Sequence, residues 1–254
     1  MASLLRDVSD SILTCTVDTG LLSLIAKSNI EHLTNLLNID HSYLEFARTF
    51  KSLYLYYLEK NLPYLICEAC TKTVSALLIK HAAEREIPAV VLGYSPYQFR
   101  SLPHKFSSDS QESLKLFKEP FEGFGRIWDP AQHEFYPEVL LPFHEKGNYP
   151  EGSSKYASIV EDRVKSMNLI KRTHVGETNC LLSPLIKYLT MKHFGYNPFI
   201  GSYLSYCIRN RRSYRRVCYN YIFDDFLVRS GIFRYLLKRK RINYVLSYLG
   251  IDVD

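Results

Sequence analysis

Residues 12 to 46 read ILTCTVDTGLLSLIAKSNIEHLTNLLNIDHSYLEF, and their pattern predicts the order strand, helix, strand. The apolar, β-branched run ILTCTV closes on Asp18-Thr19-Gly20, which predicts a strand followed by a turn. Apolar residues then recur at roughly helical spacing from Leu22 to Leu37. The run HSYLEF, residues 41 to 46, is a short strand candidate. This stretch therefore predicts one β–α–β unit.

The same alternation continues to residue 93. A helix is predicted for ARTFKSLYLYYLEK, residues 47 to 60, and another from Cys70 to about Glu86. The run IPAVVLGY then predicts a strand with Gly93 at its exit. Strands that alternate with helices indicate a parallel sheet with covering helices, and ligands bind such sheets beyond the carboxyl ends of the strands. Asp18 and Gly93 mark two such ends.

These patterns divide the chain into three predicted parts. Residues 1–100 form an α/β core, whose fold class we predict as a Rossmann-like parallel sheet with covering helices. Residues 101–154 are rich in Pro, Gly, Phe and Tyr, and we expect an irregular insertion or lid there. Residues 155–254 form a helical C-terminal part with a basic tail.

Positive charge is concentrated in that tail. The whole chain carries +6, and residues 205 to 254 hold 11 Lys or Arg against 4 Asp or Glu. Helical spacing places Arg209, Arg212 and Arg216 along one side, which predicts contact with a polyanion such as RNA. The alternative is that these arginines lie on solvated helix faces.

The composition is that of an ordinary globular protein, with 46% hydrophobic and 23% charged residues. No apolar run reaches the roughly 18–20 residues that a spanning helix needs, so we predict no membrane contact. Asp7 and Asp10 interrupt the N-terminal apolar stretch, which argues against a secretory signal. Six scattered cysteines do not indicate a disulfide framework. We therefore predict a cytoplasmic protein with reduced thiols.

The cysteines Cys67 and Cys70 form a C-x-x-C pair at a predicted helix start. Three interpretations stay open: two small buried residues, a redox pair, or ligands of a metal centre. A metal centre needs further ligands, since zinc takes four and an iron–sulfur cluster three or four thiolates. Cys180, which follows the capping residue types Thr178 and Asn179, is the natural third ligand.

Four segments in this order resemble the N-type ATP pyrophosphatase (PP-loop) family: TVDTG, the C-x-x-C pair, VVLGYSP and TNCLLSPLIKYLTMKHFGYNP. The last segment is most similar to the N-acetyl sugar amidotransferase-like branch, to which the tRNA thiolation enzymes are related. The resemblance runs from about residue 3 to residue 216. It implies a Rossmann-like fold of the HUP type, and an enzyme that uses ATP and magnesium to adenylate a substrate oxygen. A nitrogen or sulfur nucleophile then displaces AMP.

The resemblance also implies roles for particular residues. Thr16, Val17 and Asp18 are expected beside the adenine and ribose, and Gly93 is expected to face the same pocket. An iron–sulfur cluster, or zinc, is expected on Cys67, Cys70 and Cys180. The acceptor substrate is expected to be a nucleotide sugar or tRNA, and a homodimer is left open.

Two features depart from the family pattern. The phosphate loop S-G-G-x-D-S should stand before SLLRDVS, and the sequence begins at Met1 where that loop would end. We therefore expect a chain that lacks the first strand and the phosphate loop, either as a piece of a longer protein or as a relative that has lost ATP cleavage. The second departure is Gly93-Tyr94-Ser95-Pro96, which carries no carboxylate for magnesium.

Two functions follow from these observations. The first is an ATP-dependent amidotransferase-like or thiolation-like enzyme domain. The alternative is a degenerate, non-catalytic relative that holds a metal cluster and binds RNA or a sugar nucleotide.

Overall fold

The computed structural model describes residues 2–7, 9, 11–93, 137–140, 162–168, 180–200, 215–232 and 242–251. The chain divides into two compact units, and each is described by itself below. The first unit comprises Met1–Tyr64 and Glu151–Asp254, and the second comprises Leu65–Pro150. The first unit is therefore discontinuous in sequence, and the second unit is inserted between its two segments.

The first unit contains two strands and most of the helices with defined bounds. In chain order these elements are α1 (Ala2–Leu5), β1 (Leu13–Asp18), α2 (Leu24–Leu37), β2 (Asp40–Glu45), α3 (Ala47–Glu59), and, near the C-terminus, α5 (Ser183–Phe194), α6 (Arg215–Arg229) and α7 (Ile242–Leu249). Helix α4 (Ile66–Ala83) belongs to the second unit. A further helical stretch spans 162–166. Most of the residues described in the C-terminal part are thus helical.

The predicted β–α–β unit is present. Strands β1 and β2 pair in parallel, with Leu13 opposite Asp40 at one end and Asp18 opposite Glu45 at the other. Helix α2 connects them, and Ser23 caps its N-terminus, because the Ser23 hydroxyl accepts a hydrogen bond of 3.1 Å from the Ala26 N–H. The helix ends at Asn38, which adopts a left-handed conformation with φ 48° and lets the chain turn into β2.

Helix α3 provides much of the core of this unit. Its buried residues Phe50, Leu53, Tyr54 and Tyr57 recur at helical spacing and form one apolar face. Helix α7 is also amphipathic, because Ile242, Val245 and Leu249 are buried while the intervening residues are more exposed; α7 contacts α3. Burial of these apolar side chains stabilises the carboxyl-terminal helix on the sheet-bearing part of the chain.

The second unit contains α4 (Ile66–Ala83), β3 (Ala89–Val91) and β4 (Glu138–Leu140), and a 3₁₀ turn, Pro63–Leu65, precedes α4. Strands β3 and β4 pair in parallel, with Val90 opposite Val139. The strand β4 lies inside the region 101–154, which was expected to be irregular. A three-residue strand is too short to produce a periodic pattern, and its pairing partner lies 49 residues earlier in the chain.

The described residues therefore form a mixed α/β protein with two parallel strand pairs, and the predicted fold class is confirmed at that level. Within the described part of the chain, no helix is long and apolar enough to span a membrane.

Candidate functional site

The carboxyl edge of the β1–β2 sheet is the candidate site. Asp18 and Glu45 are register partners at the last position of the two strands, and the Phe46 N–H donates to the Asp18 carbonyl at 3.2 Å. The sheet thus brings two carboxylate-bearing residues to the edge where parallel α/β sheets bind ligands. Of the residues predicted to contact a nucleotide, Asp18 has its functional group at this edge.

The Asp18 carboxylate is held by two donors. Its Oδ1 accepts from the Gly20 N–H at 2.9 Å, and its Oδ2 lies 2.7 Å from the Lys27 ammonium, in the first turn of α2. Burial acts to raise the pKa of Asp18, but the hydrogen bonds from Lys27 and Gly20 outweigh it and lower that pKa. The same ion pair raises the pKa of Lys27. Asp18 is therefore a fixed, ionised acceptor with 19% of its side chain exposed.

An aromatic ring lies beside this pair. The Lys27 Nζ is 5.9 Å from the centroid of Tyr43, which lies two residues before Glu45 on β2. Such a distance is within the range of a cation–π interaction. Tyr43 remains 36% exposed, and the His41 ring packs against it edge-on, with 4.7 Å between the ring centroids.

The C-terminal helix contributes a second tyrosine. The Tyr248 hydroxyl donates to the Ala47 carbonyl at 2.9 Å, and the Lys51 Nζ lies 5.6 Å from the Tyr248 ring centroid. Gly20 has φ +80°, and the Tyr248 ring occupies the place where a side chain at position 20 would begin. The turn after β1 is therefore covered by a residue more than 200 positions later in the chain.

Thr16 and Val17 lie on the predicted strand, and Asp18, which was predicted in the turn after it, is the last residue of β1. Val17 is only 6% exposed, so its side chain belongs to the core and it can meet a ligand only through its backbone. Thr16 lies opposite Tyr43 in the register. Gly93 is exposed and follows β3, in the second unit. Its predicted role beside the same pocket stays a prediction.

The predicted metal ligands are distributed over both units. Cys67 and Cys70 lie in the first turns of α4, in the second unit, and Cys180 lies in the first. A spacing of three residues places the two α4 thiols on one side of the helix. None of the five cysteines that the structure describes forms a disulfide. Among the described residues, no three His, Cys, Asp or Glu side chains form a group that could hold a metal ion.

Cys180 was expected to begin a helix, but α5 begins three residues later, at Ser183. The reason is a backbone contact: Cys180 forms an isolated antiparallel bridge with Leu22, and the Leu181 N–H donates to the Leu21 carbonyl at 2.8 Å. Burial raises the pKa of the Cys180 thiol, although hydrogen bonds from Leu182 and Ser183 act in the opposite direction. Cys180 therefore lies close in the fold to the turn that follows β1.

The predicted polyanion contacts fall largely outside the described residues. This applies to Arg209 and Arg212, and also to the side chain of Arg216, whose backbone belongs to α6. Their contact with RNA stays a prediction.

Sequence reasoning missed three residues of the candidate site: Lys27, Tyr43 and Tyr248. Lys27 could have been found, because a lysine in the first turn after a strand–turn signal points back to the strand end. Nothing in the sequence near residue 20 indicates Tyr248.

Comparison of this chain with protein-family models, with curated proteins and with solved structures finds no match.

Proposed function

We propose that the carboxyl edge of the β1–β2 sheet binds the nucleoside part of ATP, in an enzyme that adenylates a substrate oxygen for replacement by nitrogen or sulfur. The observation that carries this proposal is the position of Asp18. It ends a strand of a parallel pair, its carboxylate is ionised, and it remains partly exposed. The resemblance to the PP-loop family, with its Rossmann-like sheet, assigns the ribose and adenine to the same three residues, Thr16 to Asp18.

The chemistry of the edge suits a nucleoside. A carboxylate offers about four acceptor positions, and the Gly20 N–H and the Lys27 ammonium engage both oxygens of Asp18 without exhausting them. The remaining positions are suited to ribose hydroxyl groups, which donate hydrogen bonds. The exposed part of the Tyr43 ring offers an apolar contact surface to a planar base, beside the Lys27 ammonium. The proposal concerns the nucleoside part alone, and the phosphates with their magnesium ion lie outside it.

The rest of the reaction follows from the resemblance and is proposed on that ground. Adenylation makes the substrate oxygen a leaving group, and a nitrogen or sulfur nucleophile displaces AMP. The acceptor is proposed to be a nucleotide sugar or tRNA. The thiols of Cys67, Cys70 and Cys180 are the donor type that zinc and iron–sulfur clusters take. The described residues form no group of three such donors, so no step of the reaction is assigned to a metal.

Calorimetric titration with ATP tests the nucleoside site. The variant is Asp18→Asn, and the matched control is Asp40→Asn, at the opposite end of the same parallel pair. Asp40 is exposed, and only its backbone carbonyl accepts from Thr14, so this control leaves the sheet intact. We expect Asp18→Asn to weaken ATP binding by about tenfold or more, because a charged hydrogen-bond acceptor is lost.

Equal ATP affinities for the wild type and Asp18→Asn, with Asp40→Asn also unchanged, would remove Asp18 from the site. ATP binding without release of pyrophosphate, in the presence of candidate acceptors, would favour the non-catalytic alternative.

A further inference from the structure

The C-terminal helix ends at the candidate site. The buried residues Ile242, Val245 and Leu249 attach α7 to the first unit, and Tyr248 precedes the last of them. Tyr244, one turn earlier on the same helix, is 54% exposed and lies close enough to Lys27 and Tyr248 to interact electrostatically with both. Both tyrosines therefore lie near the candidate site, and of the two it is Tyr248 whose hydroxyl donates a hydrogen bond to α3.

Two contacts fix the ring of Tyr248. Its hydroxyl donates to the carbonyl of Ala47, the first residue of α3, and the Lys51 ammonium lies over its face. Lys51 is one helical turn after Ala47, so both contacts come from the first turns of α3. Since α3 follows β2 directly, these contacts hold Tyr248 against the carboxyl edge of the sheet.

Tyr248 also packs against the turn that orients Asp18. A Cβ added at Gly20 would collide with the Tyr248 hydroxyl and would lie 2.7 Å from its Cζ. The N–H of this same glycine donates to the Asp18 Oδ1. One residue, Gly20, thus contacts Tyr248 on one side and the Asp18 carboxylate on the other. A change in the position of Tyr248 changes the space in which the Asp18–Gly20 turn can move.

From this geometry we infer that Tyr248 is a positioning residue of the nucleoside site, through which the C-terminal helix fixes the Asp18–Gly20 turn. This inference rests on the proposed function for the ligand, but the contact with the turn does not. Tyr248 acts through Gly20 on Asp18 and touches no reacting atom. Deletion of its hydroxyl removes the bond to Ala47 and leaves the aromatic ring, which makes Tyr248→Phe a conservative test.

Amide hydrogen exchange tests the contact without a nucleotide. We expect exchange at the Gly20 amide to become about fivefold faster in Tyr248→Phe, since loss of one neutral hydrogen bond loosens the turn by that order. Tyr219→Phe is the matched control, because Tyr219 lies on α6 and is 71% exposed, and it should leave exchange at Gly20 unchanged. Should Tyr248→Phe fold poorly, Lys51→Met, which removes the ammonium over the ring, provides a second variant with the same expected direction.

ATP titration of the same variants tests the positioning role. We expect Tyr248→Phe to weaken ATP binding by about fivefold and Tyr219→Phe to leave it unchanged. Faster exchange at Gly20 with unchanged ATP affinity would overturn the positioning role, and unchanged exchange would overturn the contact itself. If the wild type does not bind ATP, the proposed function fails. The exchange result then decides alone whether Tyr248 fixes the turn.

Discussion

Asp18 combines a charge, a backbone hydrogen bond and partial exposure, and its ion pair with Lys27 depends on pH in a defined way. Because the pKa of Asp18 is lowered by Lys27 and Gly20, the ionised form stabilises the fold. This contribution is complete above the ordinary aspartate value of 3.8 and is lost as the pH falls through the lower, folded-state value. The pKa of Lys27 is raised from its ordinary value of 10.5 by the hydrogen bond to Asp18, so its ammonium stays charged at neutral pH.

We predict that Asp18→Asn lowers the free energy of unfolding by about 0.5–1 kcal/mol near pH 7, a size typical of partly exposed ion pairs. The difference in the free energy of unfolding between wild type and variant should shrink as the pH falls below 3.8. The wild-type carboxylate then becomes protonated and, like the Asn side chain, carries no charge. Urea unfolding between about pH 7 and pH 3 measures both quantities. A difference that stays constant over this range would mean that the ion pair does not contribute to stability.

Gly20 is constrained by its conformation and by its neighbour. Its φ of +80° disfavours any side chain, and the Tyr248 hydroxyl occupies the place of a Cβ. Gly195 provides the matched control, because its φ is +72° and a Cβ there would meet nothing within 4 Å. We predict that Gly195→Ala costs about 1 kcal/mol and Gly20→Ala about 2–3 kcal/mol, measured by urea unfolding. Equal costs would show that Tyr248 does not restrict the turn.

At the scale of elements, helices α5 and α6 are joined by an ion pair with little exposure. The Lys187 Nζ lies 2.5 Å from the Asp224 Oδ2, and the two side chains are 11% and 19% exposed. The ion pair of Arg229 with Asp225 on the same α6 helix has a similar length, 2.8 Å, but Arg229 is 74% exposed. Burial distinguishes the two, because a charge that loses its partner is costly only where water cannot replace it.

We predict that Lys187→Met lowers the free energy of unfolding by about 2–3 kcal/mol, since it leaves the Asp224 carboxylate without this cation in a poorly hydrated place. Arg229→Met should cost less than about 0.5 kcal/mol. The double variant Lys187→Met/Asp224→Leu should recover much of the loss, because it removes both charges. A Lys187→Met cost as small as that of Arg229→Met would mean that the buried ion pair adds nothing.

The elements from β1 to α3 could be predicted from the sequence to within a residue or two. Each has a strong local signal: an apolar strand closed by Asp18-Thr19-Gly20, a helical apolar stripe, and the clear spacing of Phe50, Leu53 and Tyr57. The strand β4 and the start of α5 could not be predicted. They depend on a distant parallel partner and on the bridge between Cys180 and Leu22, and such pairings produce no local pattern.

At the scale of the whole molecule, local sequence was least informative about which distant residues contact the carboxyl edge of the β1–β2 sheet. Asp18 could be predicted to lie at this edge because it closes a strand signal. Tyr248 could not, because its partner Ala47 is 201 positions away and only the docking of α7 brings the two together. The division of the chain into a discontinuous first unit and an inserted second unit has the same origin, since it reflects tertiary contacts and not composition.

The predicted metal centre is tested on the whole chain, and its expected ligands Cys67 and Cys70 both lie on helix α4. We expect protein purified without oxygen to contain about one zinc ion, or iron and sulfide in the ratio of a cluster, per chain. Replacing Cys67 or Cys70 with Ser should abolish the metal, since each removes one thiolate of the expected C-x-x-C ligand pair. Replacing Cys15, which lies within β1, should leave the metal in place.

Iron, sulfide and zinc analysis measures these contents, and less than about a tenth of an equivalent of each in the wild type would contradict the metal centre. The three cysteines would then be interpreted as small packing residues.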